Sequence, residues 1–318
     1  MSHRMKLLDK LNPDVCKIAS YSPGRPIEEV ATELGLNPDE IIKLASNESA
    51  FGVSPKAAKA LHESVNECFR YPDGGAIKLR NKIAEKFRVD IEQVVLGNGS
   101  NEILELVGHC FMNRHTSTVI SCHSFVVYKL VTQLFGARLI EVPMTNALVH
   151  DLYAILERVE EDTSVVFICN PNNPTGTMAP HNELYDVVDK IPENVLIVID
   201  EAYAEVAITE MPNTLRYIFD NPNVLICRTF SKGYGLAGLR LGYGLGSIPL
   251  IEVLQKARQP FNVNLMAQNA GIAALNDDEF ITHGRRHYRK SKEFIENACL
   301  ELNLNFIPTT TNFMLIEV

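Results

Sequence analysis

An α/β fold, with a mostly parallel central sheet and helices on both of its faces, is predicted by two patterns in the chain and by its length. Short β-branched apolar runs recur at residues 119–121, 165–169, 195–199 and 224–229, each nearly continuous in hydrophobicity. Strands covered on both faces read this way, whereas half-exposed strands alternate. Amphipathic stretches separate the runs, at 102–111, 125–135, 151–160 and 181–190. Strands alternating with helices imply right-handed crossovers and parallel neighbours. At 318 residues the chain is long enough for one large domain of this kind and a smaller one.

In chain order, the first amphipathic stretch is preceded by Gly97-Asn-Gly-Ser-Asn101, a glycine-rich turn into a helix. The run ending at Cys169 leads into Asn170-Pro-Asn-Asn-Pro-Thr-Gly176, and the run ending at Ile199 into Asp200-Glu-Ala-Tyr203. The last run leads into Thr229-Phe-Ser-Lys232 and a string of glycines. Beyond Pro249 the texture changes to helical stretches at 250–257, 265–275 and 279–300, then a lone strand at 312–318. These segments are read as a second, smaller domain. It ends on a strand with no cap or turn after it and is therefore expected to be truncated at its C-terminus.

Composition excludes several classes. Hydrophobic residues at 46% and charged residues at 22% are ordinary globular values. A formal net charge of −9 opposes a nucleic-acid partner, which calls for a basic excess. The one dense basic run, Gly284-Arg-Arg-His-Tyr-Arg-Lys290, reads as a solvated helix face. No apolar run approaches the length of a membrane span, and the N-terminal MSHRMKLLDK lacks a signal-peptide core. Seven cysteines, an odd number without CxxC spacing, fit free thiols in a reducing cytoplasm, which makes the two Asn-x-Ser sequons chance matches. His109, His123, His181 and His287 lack metal-ligand spacing, so no metal is expected.

Ligands of open parallel sheets gather at the carboxyl ends of the strands. That rim would carry Asn173, Asp200, Tyr203, Thr229, Ser231 and Lys232, with the helix start at Gly99, Ser100 and Asn101 beside them. The stretch Gly233-Tyr-Gly-Leu-Ala-Gly238 matches GxGxxG, but its context fails as a dinucleotide loop. The next residues form a glycine-rich alternation rather than a helix, and the position twenty past Gly238 is Arg258 instead of an acid. Lys232 is then better read as the reagent itself, because a lysine can form a Schiff base with an aldehyde cofactor. Pyridoxal phosphate needs such a lysine and an anion for its ring nitrogen, which Asp200 would provide. Asn173 and Tyr203 could bond the ring oxygen. The amides of Gly99, Ser100 and Asn101, with Thr229, Ser231 and Arg240, would cradle the phosphate.

The ordered set GNGSNE, NPNNPTG, DEAYAE and TFSKGYGLAGLRLGYG resembles the fold-type I pyridoxal-phosphate aminotransferases. The segments YSPGRPIEEVATELGL, IIKLASNESAFGVSP and RYPDGG are similar to those of the histidinol-phosphate aminotransferase family within that class. The likeness implies an aspartate-aminotransferase-like fold with an N-terminal arm and part of a small domain over 1–45, a large cofactor-binding domain over 46–258 and an incomplete small domain over 259–318. It implies catalytic roles for Lys232, Asp200 and Tyr203, a stacking aromatic at Phe125, and substrate contacts at Tyr21 and Asn47. It also implies a homodimer in which Tyr71 reaches the cofactor phosphate of the neighbouring subunit. Its substrates would be histidinol phosphate with 2-oxoglutarate or glutamate.

Departures from the family pattern are Asn47-Glu-Ser-Ala-Phe-Gly52 where NENPFG is usual, and His123-Ser124 where PT is usual. The family's substrate-gripping arginines after the NF strand do not occur within the 318 residues. Two enzyme alternatives stay open from sequence, an aromatic aminotransferase and an amino-acid-phosphate decarboxylase of the same fold. A third alternative is a cofactor-binding module without catalysis.

Overall fold

A computed structural model describes residues 9–20 and 24–318. Its main sheet has seven strands: β1 (Val94–Gly97), β2 (Ser117–Ser121), β3 (Arg138–Val142), β4 (Thr163–Cys169), β5 (Leu196–Asp200), β6 (Val224–Thr229) and β7 (Gly242–Gly246). Their spatial order is β1-β7-β6-β5-β4-β2-β3. β7 runs antiparallel to both its neighbours, and the other pairs are parallel. The helices are α1 (Ile27–Leu34), α2 (Pro55–Ser64), α3 (Ile77–Phe87), α4 (Ser100–Phe111), α5 (Val126–Leu134), α6 (Leu152–Glu157), α7 (His181–Lys190), α8 (Tyr217–Asp220), α9 (Ile248–Ala257), α10 (Leu265–Leu275) and α11 (Asp278–Glu301).

The continuous hydrophobicity of the strands has the expected cause. Alternate residues of each strand enter different cores, because side chains of a strand alternate across the sheet. Val166 and Ile168 of β4 join Ile197 and Ile199 of β5 in a core closed by α3, α6, α7 and α10. Val165, Phe167 and Cys169 join Val198, Leu225 and Cys227 in the opposite core, closed by α4, α5 and α9. Both faces are covered, so both phases of the alternation are mainly apolar.

Three strands lie outside the four apolar runs, namely β1, β3 and β7. β1 is four residues long, and β3 sits at the sheet edge with Arg138 and Glu141 facing solvent. β7 is fully buried, yet three of its five residues are glycine. A Cβ on Gly242 would collide with the backbone nitrogen of Ser100, so the strand can pass under the start of α4 only without a side chain there. Packing, not propensity, makes this segment a strand.

One further expectation is corrected. The terminal strand shrinks to β9 (Leu315–Ile316), paired antiparallel with β8 (Phe306–Ile307). Asn312 and Phe313 turn away instead, Asn312 donating to the carbonyl of Asn47 and Phe313 packing edge-on to Tyr203 at 5.0 Å. The basic run on α11 lies on an exposed helix face, as expected, and two of its arginines also reach a neighbouring loop. Arg285 donates to the carbonyls of Ala204 and Glu205 (2.9 and 2.8 Å), and Arg289 to that of Ile208 (3.1 Å). These bonds cap a loop whose own carbonyls have no ladder partner. No helix among the described residues is long and apolar enough to cross a membrane.

The register sets Asp200 beside Cys169 on one side and Cys227 on the other, so β4 and β5 end together and β6 runs two residues further. Substituting Ile197→Ala, whose side chain is fully buried in β5, is expected to cost about 2–5 kcal/mol of stability. The check is a lower urea midpoint with an unchanged slope.

Candidate active site

A cavity of about 600 Å³ opens where those three strands end and α4 begins. Asn47, Ser100, Asn101, Phe125, Asn173, Asp200, Tyr203, Thr229, Ser231, Lys232 and Arg240 all line it. Eleven positions scattered over almost two hundred residues are thus gathered at one end of the sheet.

Asp200, the last residue of β5, lies on the floor with 2% of its surface exposed. The Tyr128 hydroxyl donates to Oδ2 at 2.7 Å, and the Ala202 amide to Oδ1 at 3.1 Å. A carboxylate has about four acceptor sites, so capacity remains for a further donor from the cavity. Burial pushes its pKa up to about 6, and the two hydrogen bonds only partly oppose this. Tyr128 lies on α5 and stacks on Phe167 with centroids 4.7 Å apart. Sequence reasoning misses its role. The available signal is a tyrosine on the apolar face of a helix, whose buried hydroxyl needs a partner.

Tyr203, also buried, accepts from the side-chain amides of Asn173 and Asn47, each at 3.1 Å. With its oxygen engaged as acceptor twice, the hydroxyl proton is directed elsewhere. Lys232 Nζ donates to the carbonyl of Ser46 at 2.6 Å and stands 5.7 Å from the centre of the Tyr203 ring. Burial lowers the Lys232 pKa to about 8, aided by Arg240 and Lys43 and opposed by Glu48. The contribution of Ser46 comes from its backbone, which no side-chain pattern reveals.

At the other end of the cavity α4 presents its N-terminus. Gly99 has φ +83°, and a Cβ there would collide with Arg240 Nη2, so glycine lets the guanidinium lie against the turn. Arg240 Nη1 donates to Ser231 Oγ (3.3 Å), which also receives the Thr229 hydroxyl (3.0 Å). Free amides, a helix dipole, hydroxyls and a guanidinium form an anion cradle. Phe125, the residue before α5, walls the cavity and meets Tyr128 edge-on at 5.7 Å.

Two expected residues stand apart. Tyr71 lies outside the cavity, 84% exposed and stacked on Phe261 at 4.9 Å. Tyr21 lies outside the described residues.

The residues present fit pyridoxal phosphate. The cradle suits a phosphate, the under-used buried carboxylate suits a protonated ring nitrogen, and a lysine with a lowered pKa suits an aldehyde. The volume falls within the range of cofactor sites, about 300–1,000 Å³.

Sheet order and site together define the aspartate-aminotransferase-like fold, fold type I of the pyridoxal-phosphate enzymes. The family model for aminotransferase class I and II matches residues 39–318, and the chain belongs to that family. It is 45% identical over 307 residues to a histidinol-phosphate aminotransferase of Akkermansia muciniphila, covering 96% of this chain and 84% of that one. The crystal structure of histidinol-phosphate aminotransferase from Sinorhizobium meliloti in complex with pyridoxal-5′-phosphate is similar with a TM-score of 0.87 and 26% identity, over 96% and 82% of the two chains. A Thermus thermophilus aspartate aminotransferase mutant, at 20% identity, shares the fold with a TM-score of 0.79 over 95% and 83%.

The raised pKa of Asp200 has a consequence for stability. A carboxyl whose folded pKa exceeds its unfolded value favours folding below the unfolded pKa and loses that contribution as pH rises through the folded one. In the cofactor-free chain the loss falls between pH about 4 and about 6, and amounts to at most about 3 kcal/mol. Asp200→Asn is expected to remove it, so that the variant gains on the wild type across this window in chemical denaturation of the cofactor-free protein.

Proposed function

We propose that the chain is a pyridoxal-phosphate-dependent transaminase that moves the amino group of L-histidinol phosphate to 2-oxoglutarate, releasing imidazole-acetol phosphate and glutamate. The single observation that carries the chemistry is one cavity holding both a lysine of lowered pKa and a buried, under-used carboxylate. The name shared by relatives at 45% identity supports the choice of substrate.

Bound pyridoxal phosphate supplies an aldehyde that takes up an amine and a ring that accepts the electron pair left on the donor's carbon. Gly99, Ser100, Asn101, Thr229, Ser231 and Arg240 bind its phosphate. Asp200 holds a proton at the ring nitrogen, with Tyr128 fixing the carboxylate's orientation. Tyr203 directs its hydroxyl proton to the ring oxygen while Asn173 and Asn47 hold the phenol in place. Phe125 covers one face and excludes water. Lys232 Nζ would hold the cofactor's aldehyde end and would serve as the base for the proton on the donor's amine-bearing carbon.

The reading includes several further parts. Tyr71, exposed on this chain, would serve the cofactor phosphate of a second copy in a homodimer, and Tyr21 and Asn47 would contact substrate. The chain would divide at 45 and 258 into arm, large domain and small domain. Seven free cysteines support a cytoplasmic setting.

Lys232→Ala is expected to lose the visible absorbance of the lysine-bound cofactor together with turnover; turnover that survives the change would reject the assignment. Conversion of the bound cofactor to its amine form by glutamate separates a transaminase from a decarboxylase, which has no use for that conversion. Because only neutral Nζ attacks the aldehyde, the rate of cofactor uptake by the cofactor-free chain should rise about tenfold per pH unit and level off above pH about 8. Stopped-flow absorbance against pH measures this.

A further inference from the structure

We infer that the backbone carbonyl of Ser46 and the carboxylate of Glu48 form a receiving site for the ammonium group of the amino donor. The inference rests on the transaminase reading above. It also assigns a role to two residues that the mechanism leaves unused.

Transfer of an amino group requires the donor's nitrogen to succeed that of Lys232 on one carbon atom. The two nitrogens must therefore pass through the same small volume, and what binds one is placed to bind the other. Lys232 Nζ lies 2.6 Å from the Ser46 oxygen, and Glu48 lines the same cavity. Asn47, between them, also lines the cavity, with its side-chain amide donating to Tyr203.

The backbone is bent to achieve this. Ser46 and Asn47 have φ of +71° and +51°. Left-handed geometry costs about 1–2 kcal/mol per non-glycine residue. It is held by the Asn47–Tyr203 bond and by Asn312 donating to the Asn47 carbonyl at 3.3 Å. Outside the cavity Lys43 Nζ clamps both oxygens of Glu48 at 3.0 Å, which fixes the carboxylate's position. The cavity is thereby polarised. Arg240 and the start of α4 offer positive charge at one end, and the Ser46 carbonyl with the Lys43-paired Glu48 carboxylate offers acceptor oxygens where an amine must arrive. The charged groups bearing on Nζ are Glu48, Arg240 and Lys43.

The test uses Glu48→Gln with Glu48→Asp as the conservative partner. In the cofactor-free chain, pyridoxal phosphate uptake by Glu48→Gln should reach its plateau at a lower pH than in wild type, because the group stabilising the Lys232 cation is gone. In the cofactor-loaded enzyme the KM for L-histidinol phosphate should rise about tenfold, because a carboxylate that attracts the arriving ammonium is gone. The KM for 2-oxoglutarate, which brings no ammonium, should not change. Glu48→Asp should recover part of both effects, and it supplies the measurement if Glu48→Gln fails to fold. An unmoved plateau, or equal rises in the two KM values, overturns the inference. If L-histidinol phosphate proves not to be a donor, that reading of the substrate falls alone, and the uptake profile still decides the ammonium site.

Discussion

A carboxylate taken out of water is costly unless something positive or hydrogen-bonding meets it, and Asp200 is such a group at the floor of the crevice. Among the described residues two donors reach its carboxylate, Tyr128 and the Ala202 amide, and burial outweighs them. The protein thus carries a site that is unfavourable by itself and favourable toward a cation. This is a thermodynamic reason for the surrounding rigidity. Phe167 stacks on Tyr128, and His150 bridges Ser121 and the Cys169 carbonyl, so the end of β4 cannot relax toward water.

A second buried cluster steadies the loop after Asp200. Arg228 on β6 bonds Glu201 at 2.7 Å and Glu205 at 3.2 Å, beneath the ring of Phe87. Burial raises the pKa of Glu205, and Arg228 only partly offsets it. Breaking such a pair leaves an uncompensated buried charge, which is why this loop can present Tyr203 in one orientation. The long helix α11 joins the same loop through Arg285 and Arg289, which ties the C-terminal helices to the floor of the site.

Much of this is legible in the sequence for a simple reason. Lys232, Asp200, Asn173 and Tyr203 line the cavity, and each stands at or just past the end of an apolar strand, so the fold rule for open sheets places them together. The supports are less legible. Tyr128 reads as one more core aromatic, Ser46 acts through its carbonyl, and Glu48 reads as a surface acid until its position over the cavity is known. Arg285 and Arg289 are exposed as their sequence suggests, but their carbonyl partners stand 80 or 81 positions away and no local pattern reveals them.

Local pattern by itself determined the α/β class, the four central strands and the chemistry carried at their ends. Those features depend on residue type and spacing within a few positions, where side-chain periodicity and turn chemistry are decided. Tertiary structure alone decided that Gly242–Gly246 is a buried strand, that residues 312 and 313 leave the terminal strand for Asn47 and Tyr203, and that Tyr71 lies outside the cavity of its own chain. These outcomes turn on contacts between segments far apart in sequence, where close packing and hydrogen-bond satisfaction override local preference.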